Sequence, residues 1–495
     1  MEMQWNQTQC RYLRELVHQV QHLEQTQELR LPDGMPDIGR ILCAWGQSMV
    51  RSKQWNGDHM LISGGVTAWI LYAPEDGSEP RSLELWLPFT GKWNLPDARR
   101  EGMMCASCQL RDLDARTLSA RKCMVRATVG VLAQAWEGDE VYISTPPEDR
   151  DGIELLENTY PAMLPTEAGE KLFTIAEPVP TTVVPRKILS CDVQPVVLEQ
   201  NAAGNKVVFR GVCRVHVVYM GEDDRPRGTY HDLPFAQLAE LDRDYDKDAT
   251  ATVCIAVTGL ETDLEQDQIH IKCSLVGQYL VYRRMLLHLA QDAYSPLRPV
   301  RPICQDLRLP MLLEHTAQTL EWQQDLPLPV AEVVDLTLRQ EYPTQYRDGN
   351  TVMLELPYQL QTLYYDGEGN LRSHSHKGHG QLAVAAGEGC DVYAEAFPVR
   401  APEGIMLVDK LRTDSGLRIH LTTSSCQPIP MLTGLELGAE QAQDPQRPSL
   451  ILQRLDKGSL WELAKACGST VDAIRRANCL TEDPDPEKML LIPIP

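Results

Sequence analysis

No stretch of this chain approaches the roughly 18–20 consecutive apolar residues that a membrane-crossing helix needs. The opening "MEMQWNQTQCRYLRELVHQV" lacks a basic start followed by an apolar run, so no secretory signal is expected. Basic residues are in deficit, 47 Lys and Arg against 69 Asp and Glu, for a formal charge of -22. That deficit argues against nucleic acid, whose phosphates need a basic surface. It also argues against electrostatic docking on anionic lipid. There is no phosphate-binding glycine loop, no H-E-x-x-H and no G-x-S-x-G elbow. Catalytic triads need not be local in sequence, but nothing here resembles an assembled active site. The chain is therefore read as non-enzymatic and without a cofactor. Clustered cysteines are missing too. The fourteen present are scattered, as expected of reduced thiols in the cores of a protein kept in a cytoplasm.

What is there is repetition. At 495 residues the chain has room for about three or four domains. Three polar turns, "WNGDH", "AAGNK" and "RDGNT", centre on Gly57, Gly204 and Gly349. Each supplies the positive φ of a tight hairpin. Each feeds an apolar run ending in tyrosine, at Tyr72, Tyr219 and Tyr364. The middle run alternates with period two, Val215, Val217 and Tyr219 on one face and Arg214 and His216 on the other, as in a strand covered on one side. A second turn follows each tyrosine. In the first two copies the return strand carries the same "LPF", Leu87–Phe89 and Leu233–Phe235; the third has "HKGHGQLAV". "ARKCMVRATV", "HIKCSLVGQ" and "GLRIHLTT" recur farther on, at a period of roughly 145–150 residues. Repeats this long are not a solenoid; they read as tandem β domains with separate cores.

Two other segments differ. Leu13, Leu16, Val17, Val20 and Leu23 have helical spacing, which predicts an amphipathic N-terminal helix, packed on the first copy or kept for a partner. Beyond the polar "GAEQAQDPQRPS", "SLWELAKAC" predicts a short helix ended by Gly468 in the left-handed conformation. Ser469 or Thr470 can cap a second helix, "VDAIRRAN", and short apolar runs at Leu450–Leu452 and Met489–Ile492 flank the pair. The expected fold is mainly β: tandem β-sandwich-like domains in three copies, the third degenerate, with an N-terminal helix and a C-terminal βααβ module. The boundaries are 1–30 for the helix, 31–175, 176–318 and 319–437 for the β domains, 438–449 for a linker and 450–495 for the module.

The C-terminal module resembles the LysM family through Leu460, Trp461, Leu463 and Ala464, then Val471, Ile474, Ala477 and Asn478, and the closing "LLIP". That resemblance implies a groove that binds N-acetylglucosamine polymers such as peptidoglycan. Here the groove and partner-binding candidates are Lys457, Gly458, Ser459, Leu460, Trp461, Asn478, Glu487 and Lys488. Both groove walls depart from the family pattern: "KGS" stands where Gly-Asp-Thr or Gly-Asp-Ser is usual, and Glu487-Lys488 where Gly-Gln is usual. Glycine suits a loop that backbone must bring close to a sugar. The upstream copies, through "LPDGMPDIGRIL", the glycine turns, "ILY" and "VVY", and "ARKCMVRATV", resemble SPOCS domains of spore-forming Firmicutes. SPOCS copies followed by LysM look like clostridial spore-coat morphogenetic proteins. The resemblance implies an adaptor in the mother-cell cytoplasm, at the forespore surface. Its implied partner is the morphogenetic ATPase of the basal coat layer, or another envelope protein, contacted through LysM and the β domains. The alternative is a peptidoglycan-binding protein.

Three clusters invite a metal and are each read as structural. "CASC" pairs Cys105 with Cys108, but a repeat offset of about 150 sets Ile255 and Thr258 opposite them. His374, His376 and His379 fall on an expected solvated return strand with no acidic or thiol ligand nearby in sequence. "DRDYDKD", Asp242–Asp248, has Lys247 where a calcium loop needs glycine and Val253 where it needs glutamate.

Overall fold

A computed structural model describes residues 5–146, 150, 152–439, 448–455, 459–482, 484 and 488–494. The fold is mainly β, and the two helices among the described residues belong to the C-terminal module. Gly57, Gly204 and Gly349 hold φ of +62°, +60° and +57°, backbone that glycine adopts without a Cβ penalty. Each turn feeds a central strand: His59–Pro74, the second half of Pro185–Gly221, and Thr351–Asp366. Tyr72, Tyr219 and Tyr364 end these strands buried. The Tyr72 hydroxyl donates to the Pro36 carbonyl at 3.0 Å, and the Tyr219 hydroxyl accepts from the Thr182 amide at 3.3 Å. Tyr72 and Tyr219 thus tie down the segments that lead into their central hairpins.

The return strands Arg81–Asn94, Pro226–Tyr245 and Leu371–Ala385 pair antiparallel with the central ones. Gly64 stands opposite Phe89 and Gly211 opposite Phe235. A Cβ on either glycine would lie 2.7 Å from the phenylalanine ring and about as close to a neighbouring carbonyl as 2.1 Å (Met49) or 2.0 Å (Val196). The third unit reverses the pair, with Leu356 opposite Gly380. One large and one small residue fill the same space from opposite strands, so the loss of "LPF" there is a compensated change.

The N-terminal segment is a strand, Asn6–Arg30, and not the expected helix. It pairs antiparallel with Lys122–Thr145, with a bulge between Glu15 and Val17. Before the bulge, Leu13 and Glu15 face a central cavity. After it, His18 and Val20 face that cavity while Val17 and Leu23 pack on the unit's core. A bulge inserts one residue and reverses strand parity. Period two on both sides of such a slip imitates helical spacing.

The same strand opens every unit. Glu154–Val179 pairs with Gln268–Tyr294, with Thr166 bulged out between Pro165 and Glu167. Met311–Leu326 pairs with Leu411–Ser425, with Leu313 bulged out. The expected boundaries at 175/176 and 318/319 therefore cut through opening strands. Pairing groups the chain as 6–145, 154–294 and 300–437. The polar linker 438–449 lies largely outside the described residues.

Opening and closing strands of each unit form a long ribbon, and the three ribbon ends converge. Cys10 and Ile143 of the first, Leu164, Leu287 and Leu289 of the second, and Leu307, Ile429 and Met431 of the third share one buried cluster. A second shared cluster joins Trp45 and Leu71, Leu189 and Val218, and Val334 and Leu363. Matched positions of the three units thus meet around a pseudo-threefold axis. Hydrogen bonds close every interface: Val193 N to Gln47 Oε1 at 2.7 Å, Tyr230 OH to the Leu336 carbonyl at 3.0 Å, and Arg339 Nη2 to the Ala44 carbonyl at 3.0 Å. The three units are one body rather than beads on a string.

Candidate functional site

The C-terminal module is built from Leu450–Arg454, Leu460–Cys467, Val471–Ala477 and Met489–Pro493, with the two strands paired antiparallel. Ser459 and Glu462 form a reciprocal capping box at the first helix, Gly468 ends it at φ +63°, and Thr470 caps the second. Asn478 donates to the carbonyls of Ile474 (2.8 Å) and Leu491 (2.6 Å) and accepts from the Leu491 amide at 2.8 Å, locking the second helix to the last strand. The Lys488 carbonyl accepts from the Leu455 amide at 3.0 Å. Leu460 is in the module's core.

Trp461 is buried and turned toward the body. Its Nε1 donates to Asp292 Oδ2 at 2.9 Å, and its ring meets Tyr294 edge-to-face at 4.8 Å. Lys465 Nζ joins the same carboxylate at 2.7 Å. Burial alone would raise the Asp292 pKa, but Lys465 and the indole N–H hold it below the ordinary carboxylate value. Five of the eight sequence-proposed site residues thus have defined structural roles or positions. Lys457, Gly458 and Glu487 lie outside the described residues. The module's free face is the outer side of its two-stranded sheet, where Leu450, Leu452, Leu491 and Met489 are 39–59% exposed.

A second site lies on the pseudo-threefold axis: a cavity of about 290 Å³ lined by all three units. Strand pairing makes its wall legible as matched triplets. Leu132, Gln278 and His420 correspond, as do His18, Ala168 and His315; Cys254 and Glu395 correspond to Ser107, which lies behind the wall against Tyr342. His18 stacks on Tyr393 with centroids 3.6 Å apart, and Glu15 accepts from the Tyr393 hydroxyl at 3.1 Å. Glu395 has no comparable partner; Cys254 Sγ at 3.7 Å is its hydrogen-bond contact among the described residues. Burial raises the Glu395 pKa, with His18 and the thiol opposing weakly. Burial lowers His315, and burial with Arg418 lowers His420 to about 4.

Between units two and three, His216 is 1% exposed, with Nδ1 2.8 Å from Asp192 and Nε2 2.8 Å from Asp335. Burial opposes a charged ring, yet the two carboxylates outweigh it and push its pKa up to about 10.

The sequence-proposed metal clusters do not assemble among the described residues. The bulges align Leu110 with Val257, so Cys105 matches Thr252 and Cys108 matches Ile255, a register three residues from the expected one. His374 and His376 lie on one face of Leu371–Ala385, and His376 contacts Gln324. All fourteen cysteines are free thiols. The central cavity leaves no local pattern in the sequence, because its residues are brought together from three units.

No curated protein and no solved structure matches the chain at a significant level. A family model described as "SipL, SPOCS domain" matches residues 186–275, the central hairpins of the second unit, so that segment is SPOCS-like and points to a sporulation-related role.

Proposed function

We propose that the protein is a non-enzymatic adaptor of spore-envelope assembly, working in the mother-cell cytoplasm at the forespore surface. In this reading all three units are SPOCS-like domains, and the C-terminal βααβ module is a LysM domain turned from sugar to protein recognition. The observation that carries the reading is the SPOCS match at 186–275, in a chain whose other two units repeat the same strand pairing. The inward Trp461 and the exposed Leu450, Leu452, Met489 and Leu491 support a protein partner, since an apolar sheet face suits protein contact. The partner proposed is the morphogenetic ATPase of the basal coat layer.

Deleting Leu450–Pro495 tests this. Pull-down from sporulating cells is expected to lose the basal-layer protein while the three-unit body stays folded. Unchanged capture by the truncated chain overturns the docking assignment. Co-sedimentation of the full chain with purified peptidoglycan, at a level lost on the same deletion, would instead favour the glycan-binding alternative.

A further inference from the structure

The central cavity has a charge imbalance that its own walls do not settle. Two carboxylates line it, Glu15 and Glu395, and among the described residues no lysine or arginine does. Of its three histidines, His315 and His420 are held toward the neutral ring by burial. Glu15 is already bonded to Tyr393 and His18. Glu395 is left with a thiol, a weak donor. Glu395 is half-buried, and a carboxylate partly withdrawn from water without a donor or a cation is disfavoured in its charged form.

Apart from neutral polar side chains such as Gln134, Gln278, Thr252 and Thr422, the rest of the wall is aromatic and apolar. Tyr282, Tyr342, Tyr393 and Trp136 come from all three units, with one face of the Tyr393 ring covered by His18. Ring faces carry negative quadrupole density and attract ammonium groups, and aromatic enclosures of this composition hold organic cations. The Tyr342 hydroxyl is engaged by Ser107 at 2.7 Å, and burial pushes the Tyr342 and Tyr393 phenols up, so neither supplies a competing charge. At about 290 Å³ the space is about twice the roughly 150 Å³ cavity that admits benzene. A pre-formed, mostly apolar pocket with a few converging polar groups is the usual form of a small-ligand site.

We infer that the axial cavity binds a small organic ammonium ion, with Glu395 as its counter-ion and the tyrosine rings as its walls. The site is independent of the adaptor reading, because it lies on the axis and not on the C-terminal module. It needs all three units: Glu395 comes from the third, Cys254 and Tyr282 from the second, Trp136 from the first.

Isothermal titration of the full chain with butylammonium chloride tests the inference against two shape-matched controls, sodium butyrate and butanol. Saturable binding of butylammonium, at least about tenfold tighter than either control, is expected. Glu395→Gln should weaken it by about tenfold or more while leaving the circular dichroism spectrum unchanged. Ala168→Leu, which fills the cavity from the second unit without touching a charge, should abolish it. Absence of saturable butylammonium binding, equal binding of butanol or butyrate, or full affinity in a folded Glu395→Gln or Ala168→Leu protein would each overturn the assignment.

Discussion

His216→Ala should be among the most damaging single changes to this protein, and its cost should depend on pH in one direction. The imidazolium sits between Asp192 and Asp335, 2.8 Å from each, and Asp335 is itself only 4% exposed. Asp335 lies on the third unit and the other two on the second, so the triad spans an interface. Removing one partner of a buried ion pair costs about 3–5 kcal/mol, because the charge left behind has lost both water and counter-ion. The Thr337 hydroxyl, 2.7 Å from Asp335 Oδ2, keeps one hydrogen bond but supplies no charge.

The pH dependence follows from where His216 titrates. Its folded pKa of about 10 lies above the ordinary 6.5. The stabilisation is therefore complete below pH 6.5, where the unfolded ring is also protonated, and is lost as pH rises through 10. Within that window the folded state holds the extra proton, so the contribution falls by about 1.4 kcal/mol per pH unit. Urea unfolding of wild type and His216→Ala at pH 7, 8 and 9.5 reads this directly, since groups unrelated to the triad cancel in the difference. The gap between the two proteins should be widest at pH 7 and narrow steadily. The double variant His216→Ala, Asp335→Asn should regain part of the loss at pH 7. A gap that stays flat to pH 9.5, or a double variant no better than the single one, would refute the ionic account of this interface.

Gly211→Ala should cost about 3 kcal/mol or more in chemical denaturation, since the new Cβ would stand 2.0 Å from the Val196 carbonyl oxygen and 2.7 Å from the Phe235 ring. Phe235→Ala in the same chain should not rescue it, because the backbone contact remains. Asp292→Ala should loosen the module from the second ribbon by removing the acceptor of Trp461 and Lys465. Amide exchange across Leu460–Ala477 is expected to quicken by about tenfold or more, with exchange in 186–275 unchanged. Equal acceleration in both regions would mean a general loss of stability rather than undocking.

What could be read from the sequence was what is decided within a few residues. A positive φ at Gly57 or Gly204 is demanded by the turn itself, and so shows in the letters. The module's helices were equally legible, because the Ser459 capping box and the Gly468 terminus are local chemistry. The opening strand Asn6–Arg30 looks helical in the letters because one bulged residue breaks the alternation that marks a strand. The repeat offset at Cys105 differs by three residues from the one that letter similarity suggests, because the bulges and hairpin register that set it leave no mark in the letters. Trp461 was legible as a core residue but not as a docking one, since Asp292 lies 169 positions away. The His216 triad was hidden in the same manner, its Asp335 partner being 119 residues distant.

Building a three-unit ring from one chain has a consequence that a ring of identical subunits does not share. In a symmetric trimer any residue on the axis appears three times, so a buried carboxylate there would face two copies of itself. Like charges that close cannot all ionise. With the units joined covalently, each axial position can differ: Ser107, Cys254 and Glu395 at one level, Leu132, Gln278 and His420 beside them. One glutamate then meets a thiol, with a serine at the third matched position, rather than two more glutamates. The Gly64–Phe89 and Gly211–Phe235 pairs and their reversal at Leu356–Gly380 keep the three bodies alike where shape matters. On the axis the three units do differ, and there likeness would prevent a single charge from being placed. That is why the degenerate third unit, which supplies Glu395, is best understood as specialised.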